Sequence, residues 1–282
     1  KWEKNNKNNK NKINNNNDVH NLEFIKIETG KHIQGSLDDY FRYYFIKDNE
    51  KPAFVTQVDD FSISTTPVTN KMFLDFIDKG GYNQKKFWSK EGWRWKTKNQ
   101  MNHPFYWKKK KNNIWKIKHF KSWIHLENVY QHPVTNISFF AAEAYCSFVN
   151  GRLPTEEEWE YVATNLSETI YPWGDHDITD EYGNFFIKYS GTNNVNDYEI
   201  SNTRLGIKQM IGNCLEYCNS TFKPYDNFCI DVIEDFSNYK HFGKVICKGG
   251  SWSSHIINCH PKYRYFIDKN NVLEYIGFRV CK

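Results

Sequence analysis

From Asn165 to the C-terminus the chain carries no helical periodicity. Gly, Asn and Asp alternate there with short apolar runs, so this stretch must be built from loops around small sheets. Helix signals are confined to three places before it. Thr69 has N-cap chemistry ahead of an apolar stripe at Met72, Phe73, Phe76 and Ile77 that stops at Gly80-Gly81. A second helix is predicted from Ser138 to about Val149, with Phe140, Ala144, Tyr145 and Phe148 inward. A third begins at Thr155, where Thr155 and Glu158 form a capping box behind Pro154 and turn Trp159 and Val162 to the core. Phe24 to Ile27 and Phe54 to Val58 read as strands. Two or three helices followed by a loop-rich β region predict an α+β domain with small antiparallel sheets.

Such a fold leans on large side chains, and the chain has them: aromatic residues make up 17%, with 10 Trp, 18 Tyr and 21 Phe. Residues 1–20, mostly Asn and Lys, contain too little apolar surface to order and read as a linker ahead of one domain, 21–282. The formal net charge of +5 is concentrated in that tail and in Lys108-Lys109-Lys110-Lys111. Nucleic-acid binding asks for bases on one face interleaved with aromatics. Trp107 and Trp115 flank the lysines, but Phe105-Tyr106-Trp107 and Ile114-Trp115-Lys116-Ile117 read as a hairpin with a solvated tip, so no nucleic-acid partner is expected. Seven Cys without a CxxC pair predict free thiols in a reducing, cytoplasmic compartment. No apolar run reaches the ~18 residues of a membrane span.

Several stretches resemble one family in order. They are Pro67-Val68-Thr69-Asn70; Pro133-Val134-x-Asn136-Ile137-Ser138; Gly151-Arg152-Leu153-Pro154-Thr155-Glu156-Glu157-Glu158-Trp159-Glu160; Tyr171-Pro172-Trp173-Gly174-Asp175; Gly212-Asn213-x-x-Glu216; Gly249-Gly250-Ser251-Trp252; and Gly277-Phe278-Arg279. Together they resemble the formylglycine-generating-enzyme (sulfatase-modifying-factor) domain, which implies a C-type-lectin-like α+β fold. In that light Arg152, Glu160, Trp173 and Arg279 are expected to hold the scaffold.

The copper oxidases of that family place two cysteines after Gly-Gly-Ser-Trp. Here Cys259 stands at the second position and Ser254 at the first, which disfavours a thiolate pair for Cu(I). Trp88-Ser89-x-x-Gly92-Trp93-x-Trp95, Pro104-x-Tyr106-Trp107, Pro224-Tyr225-x-x-Phe228, Phe236-Ser237, Phe242-Gly243 and Tyr263-Arg264-x-Phe266 resemble the C-terminal domain of ergothioneine- or ovothiol-type sulfoxide synthases. Those enzymes join a thiol, cysteine or γ-glutamylcysteine, to a histidine-derived imidazole with O2. The resemblance implies Fe(II) held by histidines of a separate N-terminal DinB-like helical bundle, two of them in a His-x-x-x-His spacing. Ten His here include no such pair, so no iron ligand is expected in this chain. It further implies a substrate wall at Phe222, Arg264, Tyr265 and Phe266, with Tyr225 as the phenol nearest a family tyrosine that falls here on Phe222 or Lys223. It implies a calcium site near Asn184, Gln209, Gly212 and Glu216. The alternative is a lectin-like binding module without chemistry.

Overall fold

The computed structural model describes residues 22–37, 46–119, 121–188, 190–229 and 241–282. The linker expected over 1–20 and Phe236-Ser237 lie outside the described residues.

Each helix forms behind a side-chain cap. Helix α1 (Asn70–Asp78) follows Thr69, whose hydroxyl accepts from the Met72 N–H at 3.3 Å. Helix α2 (Lys90–Lys98) goes beyond the three helices that periodicity announces, because its sequence is mostly charged. Ser89 caps it through the Gly92 N–H at 3.2 Å, and Gly92 lets it lie on the next helix. A Cβ at that glycine would stand 2.9 Å from Phe140 Cβ. Helix α3 (Phe139–Phe148) is capped by Ser138. Helix α4 (Glu156–Ala163) closes the predicted capping box: Glu158 N–H to Thr155 Oγ1 at 3.2 Å, Thr155 N–H to Glu158 Oε2 at 2.8 Å.

Among the described residues the strands form four small sheets. β1 (Phe24–Ile27) pairs antiparallel with β4 (Phe61–Ser64), and β2 (Gly30–Gln34) with β3 (Phe54–Val58). The lysine hairpin forms as predicted: β5 (Trp107–Lys109) pairs with β6 (Trp115–His119), and β7 (Ser122–His125) adds a third strand. In the central sheet β8 (Leu215–Thr221) and β9 (Val245–Lys248) are antiparallel, β10 (Tyr265–Ile267) adds beside β9, and β11 (Ile276–Gly277) runs parallel to β8. No helix among the described residues is long and apolar enough to cross a membrane. All seven thiols are free, six of them buried.

The aromatic content forms the core. Phe73 stacks on Tyr145 at 5.7 Å and meets Phe76, Tyr82, Trp107 and Phe278 edge-on. Each such pair adds ~0.5–1.5 kcal/mol beyond area burial. A second cluster surrounds Trp159, Ile63 and Ile246. Loops are then tied by buried ions. Arg279 forks onto Glu216 (2.5 and 2.7 Å), donates to the Ser64 and Lys208 carbonyls, and shares Glu216 with the Trp159 indole N–H at 2.8 Å. One guanidinium thus joins β4, β8, α4 and the segment after β11. Arg152 does the same more openly, forked on Glu158 at 2.6 Å twice while its backbone exchanges bonds with Cys281. Trp173 is held differently, stacked between Tyr171 (4.7 Å) and Tyr182 (4.5 Å).

Arg279→Met would leave Glu216 a buried charge without its cation, so a loss of about 3–5 kcal/mol is expected from urea unfolding. A loss below ~1 kcal/mol would show that Arg279 does not tie these elements together.

Candidate functional site

The residues implied as a substrate wall converge at one end of the central sheet, over a buried ionic network. Its centre is Glu160 on α4, fully buried. Lys248 donates to it at 2.9 Å, Lys262 at 2.8 Å, Gln34 at 3.1 Å and the Gly35 N–H at 3.2 Å, with His32 Nε2 at 3.3 Å. Burial alone would raise this carboxyl; the two lysines overcome burial and hold it well below the usual range. Lys248 is raised in turn: burial works against its charge, and Glu160 and Glu156 outweigh burial.

One turn earlier, Glu156 accepts from Arg264 Nε at 2.7 Å and Nη2 at 3.1 Å. Nη1 of Arg264 reaches the Asn49 carbonyl at 2.8 Å and Nη2 the Lys223 carbonyl at 3.1 Å. Four of the five N–H donors of a guanidinium are therefore engaged inside the protein. Arg264 is buried, and its carboxylate partner is this chain's own. The guanidinium lies 4.1 Å from the Tyr225 ring centre and 5.2 Å from that of Phe222. The Tyr225 hydroxyl accepts from Gln34 at 2.9 Å and donates to Glu156 at 3.3 Å, and burial with Glu156 beside it keeps the phenol well above its usual range. Tyr225 therefore belongs to the network, and the residue as a whole is half-buried.

Above lies an aromatic shelf. Phe222 and Phe266 stand 4.3 Å apart, His241 packs on Phe266 at 4.7 Å, and Phe242, over half exposed, meets Phe222 at 6.3 Å. Tyr265 is on the opposite face of β10, against the Phe73–Tyr145 cluster, as strand alternation requires. The structure thus brings Phe222, Phe266, Arg264 and Tyr225 together and sets Tyr265 apart.

The calcium candidates do not form one set. Both oxygens of Glu216 are taken by Arg279 and Trp159. Gly212, at φ 81, places its missing Cβ position 2.8 Å from the Asn184 carbonyl, where a side chain would clash. Asn184 and Gln209 use their amide nitrogens on Gly191, Asn193 and Asp197. Their buried Oδ1 and Oε1 accept no hydrogen bond among the described residues. Amide oxygens are hard donors of the kind Ca2+ takes, whereas Glu216 is engaged by Arg279 and Trp159. No group of three His, Cys, Asp or Glu among the described residues stands ready for a metal. At the copper positions, Ser254 Oγ accepts from the Ser251 N–H at 2.9 Å, and burial pushes the Cys259 thiol up to about 12. An alcohol beside a protonated thiol is poor chemistry for Cu(I). Gly250, at φ 73, brings the backbone so close to Cys259 that a Cβ would stand 2.7 Å from its sulfur.

The sulfatase-modifying factor enzyme 1-like domain matches residues 9–282. The chain belongs to that family. It is 34% identical over 223 residues, 77% of this chain and 51% of the relative, to a hercynine oxygenase of Mycobacterium tuberculosis. The hercynine oxygenase of Mycolicibacterium thermoresistibile is 31% identical over 227 residues, 77% of this chain and 49% of that protein. The chain spans about half the length of these curated relatives. Among solved structures, PvdO from Pseudomonas aeruginosa shares the fold at TM-score 0.66 and 17% identity, covering 92% of this chain and 94% of that one. The family fold and a relationship to ergothioneine-type sulfoxide synthases are thereby established; the C-type-lectin-like, loop-rich α+β reading holds.

Nothing in the sequence marks Lys248, Lys262, Glu50 or His260 as members of this family domain's ionic network. Glu50 is buried with neither oxygen hydrogen-bonded among the described residues, and His260 Nε2 is 3.7 Å away. Burial raises the Glu50 carboxyl to about 7 despite Lys47 and Lys248; burial, with Lys248 and Lys47, lowers His260 to about 3. A carboxyl raised in the folded state gives stability that is complete below its unfolded value of 4.5 and is lost as pH climbs through about 7. Glu50→Gln should therefore gain in melting temperature relative to the parent as pH goes from 5 to 8. A constant difference across that range would show that Glu50 does not titrate there.

Proposed function

We propose that this domain is the substrate-facing part of a non-haem-iron sulfoxide synthase, joining cysteine or γ-glutamylcysteine to a histidine-derived imidazole with O2. The observation that carries the reading is the 34% identity to a hercynine oxygenase, in a chain whose copper position holds Ser254 rather than a thiol. In this reading iron is held by a DinB-like helical bundle outside this sequence. No step through iron is therefore assigned to this chain.

The residues here bind and orient. The shelf is a set of mutually tilted rings, Phe222 buried and Phe266, His241 and Phe242 partly exposed, suited to an imidazole ring or to the apolar stem of a thiol. Arg264 acts from below, clamped on Glu156, and sets the rings of Tyr225 and Phe222. That is a positioning role, and it differs from a direct grip on a substrate carboxylate. Tyr225 remains the candidate for a proton step, with its hydroxyl between Gln34 and Glu156. Ca2+ on Asn184 and Gln209, and a cytoplasmic setting that keeps the thiols reduced, are parts of the same proposal.

The locked Arg264 also supports a second reading, a binding module that retains the fold without the chemistry. The full-length protein decides between them. It is loaded with Fe(II) without air and given γ-glutamylcysteine or cysteine with trimethylhistidine or histidine, while oxygen uptake is followed. Uptake with one pair is expected, and absence of uptake with every pair would end the synthase reading. In the active protein, Phe266→Ala is expected to raise the thiol or imidazole KM about tenfold, equivalent to about 1.4 kcal/mol, with iron content unchanged. An unchanged KM for both substrates would remove the shelf from the site.

A further inference from the structure

The lysine hairpin does more than carry a solvated tip. Alternation along β6 turns Trp115 and Ile117 one way and Lys116 and Lys118 the other. Trp107 opposes Ile117, which opposes Ile124, and Trp107 is buried, so this row is the inner face. The outer face follows from the same register. Lys108, Lys116 and His125 lie in one row straight across the three strands, and Lys118 opposes Trp123 in the next. Trp107 and Trp115 thus point away from Lys108, Lys116 and Lys118, with Lys109 on their side of the sheet 5.4 Å from the Trp115 ring centre, while Trp123, distant in sequence, sits among the outer lysines. The Lys108 ammonium lies 3.4 Å from the Trp123 ring centre and that of Lys118 5.6 Å.

Like charges directly opposite on one sheet face destabilise it. Lys108, Lys110, Lys116 and Lys118 repel one another enough that, after desolvation, they are what lowers Lys108. Lysines that guard a sheet edge against aggregation would sit on the edge strand itself. Here Lys116 and Lys118 occupy the middle strand and Lys108 the edge strand β5, while the other edge strand, β7, reads Ser-Trp-Ile-His. Among the described residues, Ser122 to His125 make no backbone hydrogen bond except to β6. A cationic face therefore borders an open, uncharged edge.

We propose that this sheet docks an acidic, extended polypeptide segment, which adds beside β7 through its backbone and places carboxylates at alternate residues against Lys116 and Lys118. Two observations favour carboxylates over nucleic acid. Trp123, the indole of that face, is already covered by Lys108, so base stacking would have to displace a cation. An open strand edge answers a peptide backbone and has no counterpart in a nucleotide chain.

The test uses the whole chain and two fluorescein-labelled probes in anisotropy titrations at low salt. One is a peptide of about ten residues alternating Glu and Thr; the other is a single-stranded RNA of about ten nucleotides. The peptide should bind, weaken as ionic strength rises past ~0.15 M, and lose about tenfold or more in affinity with Lys116→Gln/Lys118→Gln. A peptide alternating Lys and Thr should not bind. Because glutamine keeps strand and length, an unchanged circular dichroism spectrum separates lost binding from lost folding. RNA binding without peptide binding would overturn the proposal in favour of nucleic acid. Peptide binding indifferent to the double substitution, or binding of neither probe, would overturn it in favour of a solvated face.

Discussion

Glu160 is a full negative charge sealed from water, and the surrounding loops are arranged to keep it one. An isolated carboxylate at such depth would take up a proton instead of bearing the desolvation cost. Here two ammonium groups, an amide, a backbone N–H and an imidazole converge on it from β2, the turn after it, β9 and the segment before β10. His32, Gln34 and Lys248 come from strands of two different sheets, and Gly35 and Lys262 from backbone outside any strand. The carboxylate therefore does what a hydrogen-bond ladder does elsewhere: it fixes where irregular backbone must pass. Glu216 repeats the device with Arg279 and Trp159 at the other end of α4's packing surface.

Removing Arg279 leaves Glu216 an uncompensated buried charge, which costs far more than an exposed pair could supply. This explains how a domain with four short helices and sheets of two to four strands holds a unique shape. It also explains the division of labour with the aromatics. Rings fill volume between the elements without specifying register, since a Phe–Phe contact tolerates several geometries. A fork such as Arg279 on Glu216 tolerates one.

Local chemistry was legible in the sequence wherever it decides structure alone. Thr69, Ser138 and Thr155 each cap the helix they announce, and the hairpin around Lys108–Lys111 forms in place. What escaped was chemistry set by partners distant in the chain. Helix α2 is held by Ser89 and by the fit of Gly92 on Phe140, and its polar periodicity gives no sign of it. Arg264 reads as a free fork for a ligand carboxylate; that its fork is closed by Glu156, far away in sequence, is visible only in three dimensions. The same holds for Trp107 and Trp115, whose facing is set by strand register rather than by proximity to the lysines. The geometry divides the calcium candidates: Asn184 and Gln209 keep an oxygen to offer, whereas Glu216 is spent on the scaffold.

The closure of Arg264 changes where specificity can reside. A guanidinium with four donors satisfied internally contributes its flat faces and its rigidity, so what it offers outward is the placement of Tyr225 and Phe222. The shelf above it is then positioned by a charge pair below, and the pair by the carboxylate row of α4, Glu156 and Glu160. Substitution on the shelf leaves the ions underneath in place. Substitution in the ions moves every ring at once. A fold built this way can exchange one small-molecule chemistry for another, or for none, by changing a few exposed rings, which is consistent with a family domain shared by a hercynine oxygenase and by proteins resembling it in fold alone.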